Sequence, residues 1–99
     1  MKIWPWANYN RPKSFGKALG ILLASDKFTL TERTLAIAAG VSRYDIVALI
    51  EGNRLPIQSE VRDIAGAFVL NLFSRVFFEE RRKLIDEFNL ILQSDARNF

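Results

Sequence analysis

Apolar residues recur at three- and four-residue intervals along most of the chain, which is the period of helices that bury one face. No segment alternates apolar and polar residues in the way that half-buried strands do. The pattern predicts an all-α domain with helices near residues 15–25, 31–39, 43–51 and 59–70. A further helical segment follows the fourth helix.

Capping residues and glycines mark the ends of the first three helices. Ser14 precedes the first apolar period, and either Thr29 or Thr31 opens the second helix. Gly40 follows the second helix and Gly52 follows the third, at positions where a left-handed residue is common. These local signals predict short, sharply bounded helices.

The segment from Thr31 to Pro56 has the outline of a helix-turn-helix motif, two amphipathic helices joined at Gly40-Val41-Ser42. Ser42 and Asp45 have the Ser-x-x-Asp spacing of a capping box at the start of the third helix. An α-helix fits the width of the DNA major groove, so this motif in a basic chain is a candidate reader of DNA.

Residues 1–14 contain Trp4, Trp6 and Tyr9 with two prolines and no regular period, which indicates an irregular N-terminal arm. The tryptophans either lie across the helical core or follow DNA. We favour the core, because large aromatic side chains are usually mostly buried.

Residues 71–99 form a C-terminal helical segment with an apolar stripe, read as one helix or as two helices broken near Glu80. The stripe has more phenylalanines than a small core needs, so we expect it to form the seam of a symmetric homodimer. The alternative folds the stripe back over the core of the same monomer. The predicted seam residues are Phe73, Phe77, Leu84, Phe88 and Ile91.

Charge is distributed unevenly. The net charge is +3, and residues 1–50 hold seven Lys and Arg against three Asp and Glu, whereas residues 51–99 hold seven against eight. The basic excess of the first half suits contact with a polyanion or simply keeps the chain in solution.

The composition argues against catalysis. The chain has no histidine, the usual acid–base group at neutral pH, and no cysteine, so neither a thiolate nucleophile nor a thiolate metal site is available. Adjacent carboxylates such as Glu79 and Glu80 diverge on a helix, and no glycine-rich phosphate loop is present. We therefore expect a binding protein without metal or cofactor.

Neither a membrane span nor an export signal is evident. The longest mainly apolar stretch, from Ile64 to Phe73, falls well short of the roughly 20 residues that a spanning helix needs. The N-terminus lacks the apolar run of a signal peptide. We expect a soluble, cytoplasmic protein.

From about Phe15 to Leu70, the chain resembles the lambda-repressor-like family of helix-turn-helix proteins, also called the XRE or Cro/repressor family. The residues that carry the resemblance are Leu35-Ala36, Gly40-Val41-Ser42, Ile46, Leu49, Gly52-Asn53-Arg54-Leu55-Pro56, Ala65 and Phe68. The resemblance implies a compact five-helix domain, here with an extended C-terminal helical segment, in which the third helix enters the major groove. The domain would comprise an arm at 1–14, a core at 15–70 and a dimerisation segment at 71–99.

The same resemblance implies which side chains meet DNA. Arg43, Tyr44 and Val47 of the third helix would read base edges, with Arg43 bonding guanine and Val47 touching a thymine methyl group. Asp45 could accept from cytosine, but a capping role is favoured. The predicted phosphate contacts are Lys13, Lys17, Thr31, Arg33, Asn53 and Arg54.

Two features depart from the family pattern. Glu32 stands where many members have a glutamine, and its carboxylate would be repelled by phosphate. The third helix carries only one basic residue, so much of the charge for DNA binding must come from elsewhere in the chain.

The sequence thus predicts a DNA-binding transcription regulator, usually a repressor in this family, that binds an inverted-repeat operator as a homodimer. A phage or mobile-element source would suit so small a regulator. The alternative is a protein-interaction module of the same fold, such as an antitoxin that binds its toxin.

Overall fold

The structure is a computed structural model that describes residues 5–6, 11–72 and 77–96. These residues form five α-helices and no strand, which confirms the predicted all-α class. The helices are α1 (Phe15–Ala24), α2 (Glu32–Ala39), α3 (Arg43–Glu51), α4 (Gln58–Leu72) and α5 (Phe77–Ala96).

Side-chain caps fix the starts of the first three helices. The Ser14 hydroxyl accepts from the Lys17 amide at 3.3 Å, as predicted. Thr31 rather than Thr29 caps α2, and its hydroxyl accepts from the Thr34 amide at 3.2 Å. Thr29 instead joins two distant segments, because its amide donates to the Asn71 side chain at 3.0 Å.

The core is built from the inward faces of all five helices. Helix α4 packs against α2 and α5, and α1 packs against α3 and α5. The largest fully buried side chains include Phe15, Leu35, Ile46, Phe68 and Phe88. Aromatic rings link the elements: Phe15 and Phe88 lie 5.0 Å apart between centroids.

A glycine lets α1 approach the backbone of α3. A Cβ on Gly16 would meet the carbonyl oxygens of Leu49 and Ile50, so only a residue without a side chain fits there. This contact places the start of α1 beside the end of α3.

The C-terminal stripe folds back over the monomer's own core. Leu84, Phe88 and Ile91 are fully buried in the single chain, so their prediction as dimer-interface residues was wrong. The reason is that α5 lies across α1 and α4, where these side chains cover the apolar faces of those helices. Phe77 is half-buried, and Phe73 lies outside the described residues.

Helix α5 continues through Glu80 without a break. Residues 77–96 therefore form one helix, and the alternative of two helices broken near Glu80 was wrong for this range. Trp6 is buried in the core cluster, as favoured from the sequence, whereas Trp4 and Tyr9 lie outside the described residues. Among the described helices, none combines the length and hydropathy required to cross a membrane.

Candidate nucleic-acid interface

Helices α2 and α3 are joined by a tight turn of defined geometry. Gly40 adopts the left-handed conformation with φ 70°, and the Val41 amide donates to the Ala36 carbonyl at 3.0 Å, which ends α2. The capping box then starts α3: the Ser42 hydroxyl accepts from the Asp45 amide at 3.1 Å. The turn therefore fixes α3 relative to α2.

Helix α3 has one face in the core and one face free. Ile46 and Leu49 point inward and are buried. The predicted base-reading residues share the other side of the first turns: Arg43 is exposed, the Tyr44 side chain is 87% exposed and Val47 is half-buried. The structure thus brings Arg43, Tyr44 and Val47 together on an accessible surface.

The exposed guanidinium of Arg43 has a carboxylate nearby. Its Nη2 lies 3.7 Å from Oε1 of Glu32, the first residue of α2. Both side chains are largely exposed, so this pair is weak and Arg43 can leave it at little cost. Glu32 nevertheless keeps a negative charge next to the candidate base-reading surface.

Asp45 is a capping residue, as favoured from the sequence. Its Oδ2 accepts from the Ser42 amide at 3.2 Å and from the Ser42 hydroxyl at 2.9 Å. These two hydrogen bonds, together with nearby Arg54, hold the pKa of Asp45 below its usual value.

Arg54 connects the start of α3 with the start of α4. Its Nη2 lies 2.6 Å from Oε2 of Glu60 and its Nη1 lies 2.8 Å from Oε1, a bidentate pair. The same Nη2 is 3.4 Å from Oδ1 of Asp45. Two carboxylates already compensate this guanidinium, which argues against the phosphate contact predicted for Arg54.

The other residues near α2 and α3 that were predicted to contact phosphate are exposed; they are Thr31, Arg33 and Asn53. Thr31 occupies the cap of α2, and Arg33 extends from its first turn. The side-chain amide of Asn53 donates to Oε2 of Glu51 at 3.2 Å, beyond the end of α3.

Lys13 and Lys17 border a separate feature, a cavity of about 660 Å³ between the start of α1 and the end of α5. Asp95 lines the same cavity; it is buried and accepts from the Phe15 amide at 2.8 Å. A carboxylate of the protein therefore already occupies the N-terminus of α1, close to these two lysines.

The segment 31–56 is neutral overall. It holds three basic residues (Arg33, Arg43, Arg54) and three acidic ones (Glu32, Asp45, Glu51). A DNA-binding role for this unit needs additional positive charge from outside it.

Glu60 and Asp95 are the residues that sequence reasoning missed. Glu60 lies six residues beyond Arg54, across Pro56, a spacing at which helical periodicity gives no signal. Asp95 is 80 residues from its partner Phe15, and a single sequence holds no sign of such a contact.

Comparison with protein-family models gives no match, and comparisons with characterised proteins and with solved structures give none either. Function is therefore inferred from the fold and from the side chains described above.

Proposed function

We propose that this chain is a sequence-specific DNA-binding transcription regulator that inserts α3 into the major groove. The observation that carries the proposal is the two-sided character of α3. Ile46 and Leu49 anchor the helix in the core, while Arg43, Tyr44 and Val47 stay accessible beside a turn of fixed geometry. A rigid helix with free side chains at its start is what base reading requires.

The proposed roles follow from the chemistry of these side chains. Arg43 can donate two hydrogen bonds to guanine O6 and N7, and Val47 can touch a thymine methyl group. Tyr44 reaches a base or a phosphate with its hydroxyl. Thr31, Arg33 and Asn53 hold the backbone and fix the register.

As a regulator, the protein would occupy a promoter or operator and block polymerase, which is the commoner outcome in the family that the sequence resembles. An inverted-repeat operator follows if the protein acts as a homodimer. A regulator must reach the DNA that it controls, and we propose the cytoplasm as its location.

The test is selection of retained duplexes from a random pool at about 150 mM salt, where nonspecific attraction to phosphate is partly suppressed. The proposal predicts enrichment of a common motif. A pool that stays random after repeated rounds would contradict it.

A second candidate is a protein-interaction module, such as an antitoxin. The neutral charge of segment 31–56 favours it, because neither phosphate nor another polyanion would be attracted strongly there. The exposed Ile37 and Tyr44 offer apolar area to a protein partner. Under this second candidate, Arg43→Ala leaves partner binding unchanged, whereas the DNA-binding proposal predicts a loss of about 1–3 kcal/mol in specific DNA binding.

A further inference from the structure

A groove with an apolar floor runs between α2, α4 and α5, away from the capped turn that precedes α3. Its volume is about 280 Å³, and its residues are Ala38, Arg62, Asp63, Gly66, Ala67, Leu70, Phe77 and Arg81. A cavity of about 150 Å³ already holds a benzene molecule, so this groove has room for a phenyl ring. The leucine on its wall, Leu70, is 65% exposed.

An exposed aromatic side chain stands next to this groove. Phe78 is 75% exposed although it directly follows the groove residue Phe77 on α5. The Arg81 guanidinium lies 5.2 Å from the ring centroid of Phe77 and 5.4 Å from that of Phe78, which holds the two rings at the groove's edge. The same surface thus presents both a groove for a ring and a ring.

The charges beside these two features are opposite. Arg62 and Arg81 stand on the rim of the groove, and in the described part of the chain neither is paired with a carboxylate. Glu79 follows the exposed phenylalanine, and its only described ion pair is an exposed one with Lys83 at 3.6 Å. Asp63 also lies on the rim, so the two arginines and this one carboxylate give the rim one excess positive charge.

We propose that this groove is a self-association surface whose occupant is a second copy of the chain. Phe78 of each copy enters the groove of the other, and Glu79 of each copy pairs with Arg62 of the other. A surface that carries both a groove and the group that fills it is self-complementary, as a two-fold symmetric interface must be. This interface shares Phe77 with the predicted seam but excludes Leu84, Phe88 and Ile91, which are buried within one chain.

The inference deepens the proposed function, because a second copy would supply the reader of a second half-site. Its test contains no DNA, so the two can fail separately. If the protein selects a DNA motif as a monomer, this interface is overturned and the proposed function stands. If it forms the dimer but selects no DNA motif, the proposed function is overturned and the interface stands.

The first experiment is sedimentation velocity of the full chain over a wide range of concentration. The wild type should shift from monomer towards dimer, and Phe78→Ser should raise the dissociation constant by about tenfold or more. Leu90→Ser is the matched control, since Leu90 is also on α5 and 44% exposed but does not line the groove. It should dimerise as the wild type does, and circular dichroism checks that each variant is folded.

A wild type that stays monomeric, or a Phe78→Ser variant that dimerises normally, would overturn the proposal. Loss of the dimer in Leu90→Ser would overturn the assignment of the interface to this groove. A monomeric wild type that binds an acidic amphipathic test peptide would assign the groove to another protein instead.

Charge reversal tests the orientation. Arg62→Glu and Glu79→Arg should each weaken the dimer, and the chain that carries both changes should recover it, because each contact is then restored with its signs exchanged. Absence of recovery in the double variant would overturn the proposed pairing.

Discussion

The guanidinium of Arg54 holds the carboxylate of Glu60 in a bidentate pair, with N–O distances of 2.6 and 2.8 Å. The pair spans Pro56, and the same guanidinium reaches Asp45 in the capping box of α3. The start of the candidate base-reading helix is thereby tied to the start of α4. Arg54 stabilises the position of α3, and this role needs no contact with phosphate.

Removing this guanidinium should destabilise the domain. We expect Arg54→Met to lower the free energy of unfolding by about 1–3 kcal/mol, because Glu60 is largely covered and loses its charged hydrogen bonds. Arg54→Lys should lower the free energy of unfolding by less than Arg54→Met does, since lysine keeps the charge but not the bidentate geometry. Denaturant unfolding measures both, and unchanged stability in Arg54→Met would contradict this role.

Stability should decline in acid partly through the same pair. The Arg54 guanidinium lowers the pKa of Glu60 below its ordinary value of 4.5. A lowered folded-state pKa contributes stability above pH 4.5 that is lost as the pH falls through the folded value. In unfolding experiments across this acidic range, Glu60→Gln should show a shallower loss than the wild type. Identical slopes would show that Glu60 is not a source of acid sensitivity.

Two glycines should respond to alanine in opposite directions. Apart from the local backbone, a Cβ added at Gly20 or at Gly40 would meet no heavy atom within 4 Å, so the two positions do not differ in available space. Gly20 is inside α1, and Gly20→Ala should stabilise by about 0.5–1 kcal/mol. Gly40 has φ 70°, and Gly40→Ala should destabilise by about 1 kcal/mol. Thermal unfolding of both variants measures this, and equal shifts would contradict the assigned turn geometry.

Glu32 should weaken DNA binding if α3 reads DNA. Glu32→Gln removes a carboxylate beside Arg43, so it should raise DNA affinity and steepen the salt dependence by about one unit of log–log slope. Asp86→Asn makes the same charge change on the exposed side of α5 and should have a much smaller effect. The measurement is DNA affinity as a function of salt concentration for the wild type and both variants. Equal changes in affinity and salt slope for the two variants would show that Glu32 does not face the DNA.

Local features of the fold could be predicted from sequence. The caps at Ser14 and Ser42 and the left-handed Gly40 depend on neighbours within a few residues, and all three are confirmed. The sequence did not show that Thr29 bonds Asn71, which is 42 residues away, and so it left Thr29 and Thr31 as equal candidates for the cap of α2. Local hydrogen bonding is encoded in local sequence, and long-range bonding is not.

The surface against which the apolar stripe of α5 packs could not be predicted from sequence either. An apolar stripe indicates that a face is covered but not what covers it, and Phe88 is covered by Phe15 of the same chain. For the candidate site, the family resemblance pointed to Arg43, Tyr44 and Val47, and the structure has these side chains on one accessible face. Neither the resemblance nor the pattern revealed that Glu60 compensates Arg54, since that pair joins the loop after α3 to the first turn of α4.

The central claim is that the exposed start of α3 reads base edges. Its most direct measurement is the ratio of affinities for a selected duplex and a permuted duplex of the same composition, by fluorescence anisotropy at about 150 mM salt. The wild type should prefer the selected duplex, and Arg43→Ala and Tyr44→Ala should each reduce this preference. Arg82→Ala, a matched charge loss on the exposed side of α5, should leave it intact. Equal affinity for the two duplexes, or a preference that survives both changes in α3, would contradict the claim.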